Sequence, residues 1–342
     1  MKAPDNSYRL LAARHLGKQV RRLARELRGV HDPTDLEHVH QARVASRRLR
    51  VALRMFGDCF PAGKVKKWRQ SLGHLLKALG PARDCDVQTE FVRGFLETVE
   101  DPRHRPGIAR LLLRLQQQRQ TLQDGVVKAA DRCKDKRVVD RVLRATKALA
   151  SQAREQAAGL RGHHACHLAM RRIVRRVEEI RAFEDCLADP DARERHHAMR
   201  IAVKRLRYTM ETCVAAYSRD LQESVRAVKR LQALLGNLHD CDVWIEQLQA
   251  FLDQERRRTL EYFGNVGPMA ELEPGIQHLA DDRRRQRREL FADLVDYWRE
   301  LGETDFWNRL TQTAEARALL PGGTEGLGDA GPRDSATEGV GP

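Results

Sequence analysis

A chain that carries one signature twice, 157 residues apart, must build much of its fold twice. Asp32-Pro33 falls on Asp189-Pro190, Glu37 on Glu194, His40 on His197, Arg43 on Arg200 and Ala45 on Ala202. Arg47 falls on Lys204, and Arg48-Leu49-Arg50 on Arg205-Leu206-Arg207. Further on the displacement becomes 156, which brings Leu79-Gly80 onto Leu235-Gly236 and Asp84-Cys85-Asp86-Val87 onto Asp240-Cys241-Asp242-Val243. Apolar residues recur at helical spacing throughout, whereas alternation at period two does not recur. The expected fold class is therefore all-α, with two pseudo-symmetric helical-bundle halves from an internal duplication, about 8–160 and 161–318. By analogy with dimers, such halves pack so that equivalent helices face a shared groove.

The periodicity predicts helices over 8–29, 35–57, 63–79, 84–99, 104–134, 136–161, 163–187, 191–218, 220–236, 239–263, 270–301 and 304–318. Asp32-Pro33 and Asp189-Pro190 read as N-caps followed by a first-turn proline. Gly80-Pro81 and Gly236-Asn237 read as helix stops. That makes Asp84 and Asp240 structural caps of the helices that follow, with Val87 and Val243 facing the core. Residues 1–318 form the expected helical domain. Residues 319–342, rich in Gly, Pro, Asp and Glu without an apolar face, are expected to be a disordered tail.

With 41% hydrophobic residues the chain can bury a core, and a formal charge of +14 directs attention to an anionic partner. Seven cysteines (Cys59, Cys85, Cys133, Cys166, Cys186, Cys213 and Cys241) are dispersed without a CxxC, which suits reduced thiols. No signal-like N-terminus and no apolar run of membrane-spanning length stands out. The expected setting is soluble and cytoplasmic.

The charge is concentrated. On a wheel of about 100° per residue, the helix over 35–57 puts Ala45, Leu49, Ala52 and Phe56 in one sector. His40, Arg43, Arg47, Arg50 and Arg54 lie opposite. The second copy repeats this with Ala202, Leu206, Thr209 and Cys213 against His197, Arg200, Lys204 and Arg207, and Glu211 stands where the fifth cation would be. A solvated helix face ordinarily mixes signs, because like charges one turn apart cost roughly a few tenths of a kcal/mol per pair. From His38 to Arg83, eleven Lys/Arg residues accompany one acid, Asp58, so a bound anion is the natural compensation. The imidazoles add hydrogen bonds and, once protonated near pH ~6.5, charge. Binding is expected to strengthen mildly as pH falls.

The pattern HxxRxxx[KR]RxR, present as His40-Arg43-Arg47-Arg48-Arg50 and His197-Arg200-Lys204-Arg205-Arg207, resembles the signature of the CHAD family (conserved histidine α-helical domain). The later LGxx[RH]DxDV, with Arg83 in the first copy and His239 in the second, resembles that family too. The resemblance spans about residues 8–318. It implies two helical halves around a basic groove, binding of inorganic polyphosphate and association with polyphosphate granules. Carried over by position, it implies a lining of His40, Arg43, Arg47, Arg50, His197, Arg200, Lys204 and Arg207. Arg48 and Arg205 lie off the stripe's centre and are candidates to pair with Asp84 and Asp240. Arg54, Arg14, Lys18, Arg171, Arg175, Arg83 and His239 are secondary contacts. Polyphosphate also suits the residues themselves, since forked arginine donors match phosphate oxygens. Tyr208 is the one aromatic near the stripes, whereas single-stranded nucleic acid sites ordinarily interleave stacking platforms.

Other constellations carry weaker readings. Asp84-Cys85-Asp86 and Asp240-Cys241-Asp242 could chelate Mg²⁺ in a phosphohydrolase; the capping role is preferred. His163, His164, Cys166 and His167 are crowded enough for zinc but lack a counterpart in the first copy. Lys64, Lys66, Lys67, Arg69 and His74, with Arg226, Lys229 and Arg230, either extend the groove or are simply exposed. The expected function is non-catalytic capture of polyphosphate without metal or cofactor, the alternatives being nucleic-acid backbone binding and a metal-dependent phosphohydrolase using the Asp-Cys-Asp pairs.

Overall fold

The computed structural model describes residues 6–135, 137–155, 163–213 and 220–319, without the side chains of 7, 155, 163–170, 212–213, 220 and 316–319. Ten α-helices make up nearly all of it: α1 Asn6–Gly29, α2 Leu36–Met55, α3 Ala62–Thr98, α4 Arg105–Asp135, α5 Val138–Glu155, α6 His163–Arg181, α7 Arg193–Cys213, α8 Asp220–Phe263, α9 Met269–Glu303 and α10 Phe306–Leu319. Among the described residues there is no strand. None of these helices is long and apolar enough to cross a membrane. In the first half α1 packs on α2 and α5, α2 on α3 and α3 on α4. In the second, α6 packs on α7 and α10, α7 on α8 and α8 on α9, so the order of elements and their packing partners recur.

Two expected breaks are absent. The helices expected over 63–79 and 84–99 are one helix, α3, which runs through Gly80-Pro81. Those expected over 220–236 and 239–263 are likewise one helix, α8. An interior proline forfeits a backbone hydrogen bond and costs roughly 3 kcal/mol. Here the buried stripe Leu72, Leu75, Leu79, Ala82 and Cys85 passes the proline without interruption, and Pro81 itself is exposed. Burial of each large apolar side chain is worth about 1.5–3 kcal/mol, so packing outweighs local preference. Asp84 and Asp240 consequently lie inside helices and cap nothing. Val87 is 45% exposed rather than in the core. Asp32 and Asp189 are not N-caps either. Each closes a turn ahead of its helix, Asp32 accepting from the Thr34 amide at 2.8 Å and Asp189 from the Asp191 amide at 2.8 Å. The N-cap of α2 is Asp35, whose side chain accepts from the Glu37 amide at 3.0 Å.

Three apolar clusters hold the molecule together. One fills the first half around Leu16, Leu49, Phe56 and Leu72. Another fills the second half around Met199, Leu206, Leu235 and Trp298. The third joins the halves, with Val92, Ile108 and Leu111 of α3 and α4 packed on Trp244, Leu248 and Ile276 of α8 and α9. At that joint α4 crosses α9 at Gly107 and Gly275, where a Cβ on Gly275 would lie 2.0 Å from the His104 carbonyl oxygen. Beside it Glu255 of α8, 2% exposed at its side chain, accepts from Arg114 of α4 at 2.7 Å and from Arg258 at 2.9 Å. Cys85, Cys133, Cys186 and Cys241 are buried free thiols and Cys59 is a half-buried one. Cys166, Cys213, the His163–His167 side chains and residues 320–342 of the expected tail lie outside the described residues.

Candidate anion-binding groove

The apolar stripes of α2 and α7 bury Ala42, Ala45, Leu49, Ala202 and Leu206, which turns the opposite, cationic faces away from each half's core. Those faces meet. The Arg47 guanidinium of α2 lies 5.7 Å from the ring centroid of Tyr208 on α7, and Arg207 lies 4.9 Å from the same ring. Burial first, then Arg47, Arg200, Arg43 and Arg207, bring the Lys204 ammonium down to about 8. Burial likewise pulls Arg47 below its ordinary value, with Arg43, Arg207 and Arg48 pulling the same way against Tyr208. Cations from both halves thus share one half-buried space, and each makes its neighbour's charge harder to keep.

The histidines flank this cluster. His40 is held below the usual imidazole range, chiefly by burial and then by Arg83, with smaller effects from Arg43 and Arg47 and an opposing one from Glu37. Its Nδ1 is buried without a hydrogen-bond partner. His197 Nδ1 lies 3.2 Å from His239 Nδ1, and burial, Arg200 and His197 bring His239 down to about 4. Position 83 in one half and 239 in the other therefore do the same thing: each stands beside its stripe histidine. At neutral pH His239 is uncharged in the free protein, and the lowered His40 moves the first stripe's expected gain of charge to lower pH.

Acids at the groove are few. Asp84 Oδ1 is 3.7 Å from Arg43 Nη2, and the Asp84 side chain is 63% exposed. Burial raises the Asp240 carboxyl, Asp84 adds to this, and Arg200 and Lys204 oppose it. The partner of Asp84 is thus Arg43, not Arg48. The second aspartate of each pair does something else. Arg119 Nε of α4 donates to buried Asp86 at 2.7 Å, and Arg287 Nε of α9 donates to buried Asp242 at 2.6 Å. Residues two apart on a helix point to different sides, so neither Asp-Cys-Asp pair can close on one ion.

Not every stripe residue joins the cluster. Arg50 and Arg54 turn into a separate cleft between α2 and α3. Arg48 stands with Lys18 near His15 of α1, where burial, Arg48 and Lys18 bring that imidazole down to about 4. Arg205, Arg14 and Arg171 are exposed, and Arg175 pairs with Glu179 at 3.4 Å. Of these, Arg48 acts on the cluster through Arg47.

Arg119 and Arg287 escaped the sequence reading, although a signal was present. Displaced by 168 residues, Pro106-Gly107-Ile108 falls on Pro274-Gly275-Ile276 and Arg119 falls on Arg287.

The sequence model described as the CHAD domain matches residues 14–249, a stretch that holds both basic stripes and both Asp-Cys-Asp pairs. No curated protein matches the chain. Among solved structures it is similar to the CHAD domain from the plant Ricinus communis, with 23% identity, a TM-score of 0.57, and 87% of this chain and 93% of that one covered. It is also similar to PptA from Streptomyces chartreusis, with 16% identity, a TM-score of 0.53, and 84% and 98% covered. At these identities the two structures speak for the fold alone.

Proposed function

The chain belongs to the CHAD-domain family, and from that premise we propose that it binds inorganic polyphosphate, without catalysis, between α2 and α7. The observation that carries this is the convergence of Arg43, Arg47, Arg200, Lys204 and Arg207 from two halves into one space, close enough to depress Lys204. A run of phosphates relieves that repulsion. Arg47, Arg200 and Arg207 offer forked donors to phosphate oxygens, and His40 stands near Arg43 and Arg47. Tyr208 is 7% exposed, beneath two guanidinium groups. It presents no free face for a base, which favours a base-free polyanion over single-stranded nucleic acid. The arginines that hold Asp86 and Asp242 favour binding over metal-assisted hydrolysis at those carboxylates. Attachment to polyphosphate granules would follow from such binding.

Calorimetric titration at two salt concentrations, with long-chain polyphosphate and with single-stranded RNA of matched phosphate count, tests the reading. Polyphosphate is expected to bind at least about tenfold more tightly, both affinities falling steeply with salt as counterions are released. Equal affinities would make the charge diffuse. Mg²⁺-dependent phosphate release, lost in Asp84→Asn/Asp240→Asn, would replace capture by catalysis.

Lys204 sets the pH dependence. A bound polyanion raises its pKa, so below about 8 the ammonium is already formed and binding takes up no proton. Above that value binding must take one up, and affinity falls by up to about tenfold per pH unit. Titrations between pH ~7 and ~9.5 should show this decline in wild type and not in Lys204→Arg, whose guanidinium stays charged. Equal affinity across the range in wild type would place Lys204 away from the ligand.

A further inference from the structure

Between the C-terminal part of α2 and the N-terminal part of α3 lies an open cleft of about 880 Å³, lined by Arg50, Arg54, Lys66, Arg69, His74 and Lys77. Among the described residues, no acidic one lines it. Arg69 Nε is buried and has no hydrogen-bond partner. Burial, then Arg54 and Arg50, pull that guanidinium below its ordinary value. The cleft therefore gathers positive charge that the protein does not itself neutralise.

At the same register in the second half, the described residues differ in charge. Glu211 stands where the first half has Arg54, and Lys229 where it has Gly73. Glu211 Oε1 lies 3.7 Å from Arg207 Nε and 3.8 Å from Lys229 Nζ. Arg230, at the position of His74, pairs with Glu300 at 3.2 Å and lies 4.0 Å from the ring centroid of Tyr297. Val225 and Ala233 replace Arg69 and Lys77. At this register the second half pairs Lys229 and Arg230 with acids, and the first has a cleft where Gly73 carries no side chain.

We infer that the first-half cleft is a second phosphate subsite, which takes the polyphosphate chain as it leaves the α2–α7 groove past Arg50. The chain is then led out over the first half and not over the second. Arg47 and Arg50 are one helical turn apart, about 4.5 Å along α2, a step that a flexible string of phosphates can span. This inference rests on the groove reading above. A compact polyphosphorylated molecule has the same chemistry, and the test separates the two.

The test uses the full chain with three probes: long-chain polyphosphate, tripolyphosphate and inositol hexakisphosphate. Arg54→Glu/Gly73→Lys transplants the second half's Glu–Lys pair, and Arg54→Gln/Arg69→Gln removes charge without filling the cavity. Both are expected to weaken long-chain binding about tenfold and to flatten its salt dependence by about one unit of slope. Tripolyphosphate, short enough for the groove alone, should bind as to wild type. Glu211→Arg/Lys229→Gly should strengthen long-chain binding. An equal loss of long and short chains would make the cleft part of the groove, and unchanged long-chain binding in both cleft variants would remove phosphate from it. Loss of inositol hexakisphosphate binding alone would assign it to a compact ligand. Each of these overturns the inference. Where Arg43→Ala/Arg47→Ala/Arg200→Ala/Lys204→Ala loses all long-chain binding while the cleft variants lose none, the groove stands and only the cleft fails. A wild-type chain that binds no polyphosphate sinks both.

Discussion

Alanine in place of Arg43, Arg47, Arg200 and Lys204 together is expected to lower the affinity for long-chain polyphosphate by about three orders of magnitude. Each charge-assisted contact with a phosphate is taken as about 1 kcal/mol net of the water it displaces. Four such contacts give about 4 kcal/mol, and every ~1.4 kcal/mol is a factor of ten. The salt dependence should flatten with the affinity. By analogy with single-stranded nucleic acid, each lost phosphate contact removes about 0.7 from the slope of log K against log salt, so four remove about 3. The variant should fold at least as well as wild type. Lys204 at about 8 shows that folding opposes its charge, so removing crowded cations relieves the folded state. Calorimetric titration at two salt concentrations reads affinity and slope, and thermal melting reads the fold. Unchanged affinity in a folded variant would place the site elsewhere.

How much of this could be read without coordinates follows from what a periodic pattern can encode. The all-α class was legible because a buried stripe repeats at helical spacing whatever it packs against. The convergence of Arg43 and Arg47 with Arg200 and Lys204 was legible because α2 and α7 carry the same residue types at the same register. The wheel failed at Arg50 and Arg54. From His40 to Arg54 is about 21 Å of helix, and two crossing helices meet over only part of such a length. Beyond the crossing, one face of α2 looks into a different space, against α3. Local chemistry misled at Gly80-Pro81, where two residues that end helices in isolation are overruled by Leu79, Ala82 and Cys85 packing on either side. Arg119 stayed hidden because its partner Asp86 lies 33 residues away, on another helix.

Alanine at Gly275 is expected to destabilise the protein by about 3 kcal/mol or more, above the usual range for an overpacked interior. The added Cβ would lie 2.0 Å from the His104 carbonyl oxygen and 3.3 Å from the Gly107 Cα. Those are backbone atoms, so nothing can step aside as the end of a flexible side chain would. Gly107→Ala meets the Leu272 carbonyl oxygen at 2.1 Å and should cost a similar amount. The two changes separate the same pair of helices, so the double variant should cost less than the sum. Gly80→Ala is the contrast: a Cβ there meets nothing within 4 Å, and an alanine inside a helix gains about 0.5–1 kcal/mol over glycine. Melting all four variants beside wild type measures the difference. At about 2–4 °C per kcal/mol for a chain of roughly this size, Gly275→Ala should melt about 6 °C or more below wild type, and Gly80→Ala slightly above it. The loss should extend to ligand binding. The α4–α9 crossing is a main joint between the halves, and the facing of α2 and α7 depends in part on it. A Gly275→Ala protein that melts with wild type would mean that the helices cross at a greater distance, and the joint would then rest on its apolar cluster and the Glu255–Arg114 ion pair.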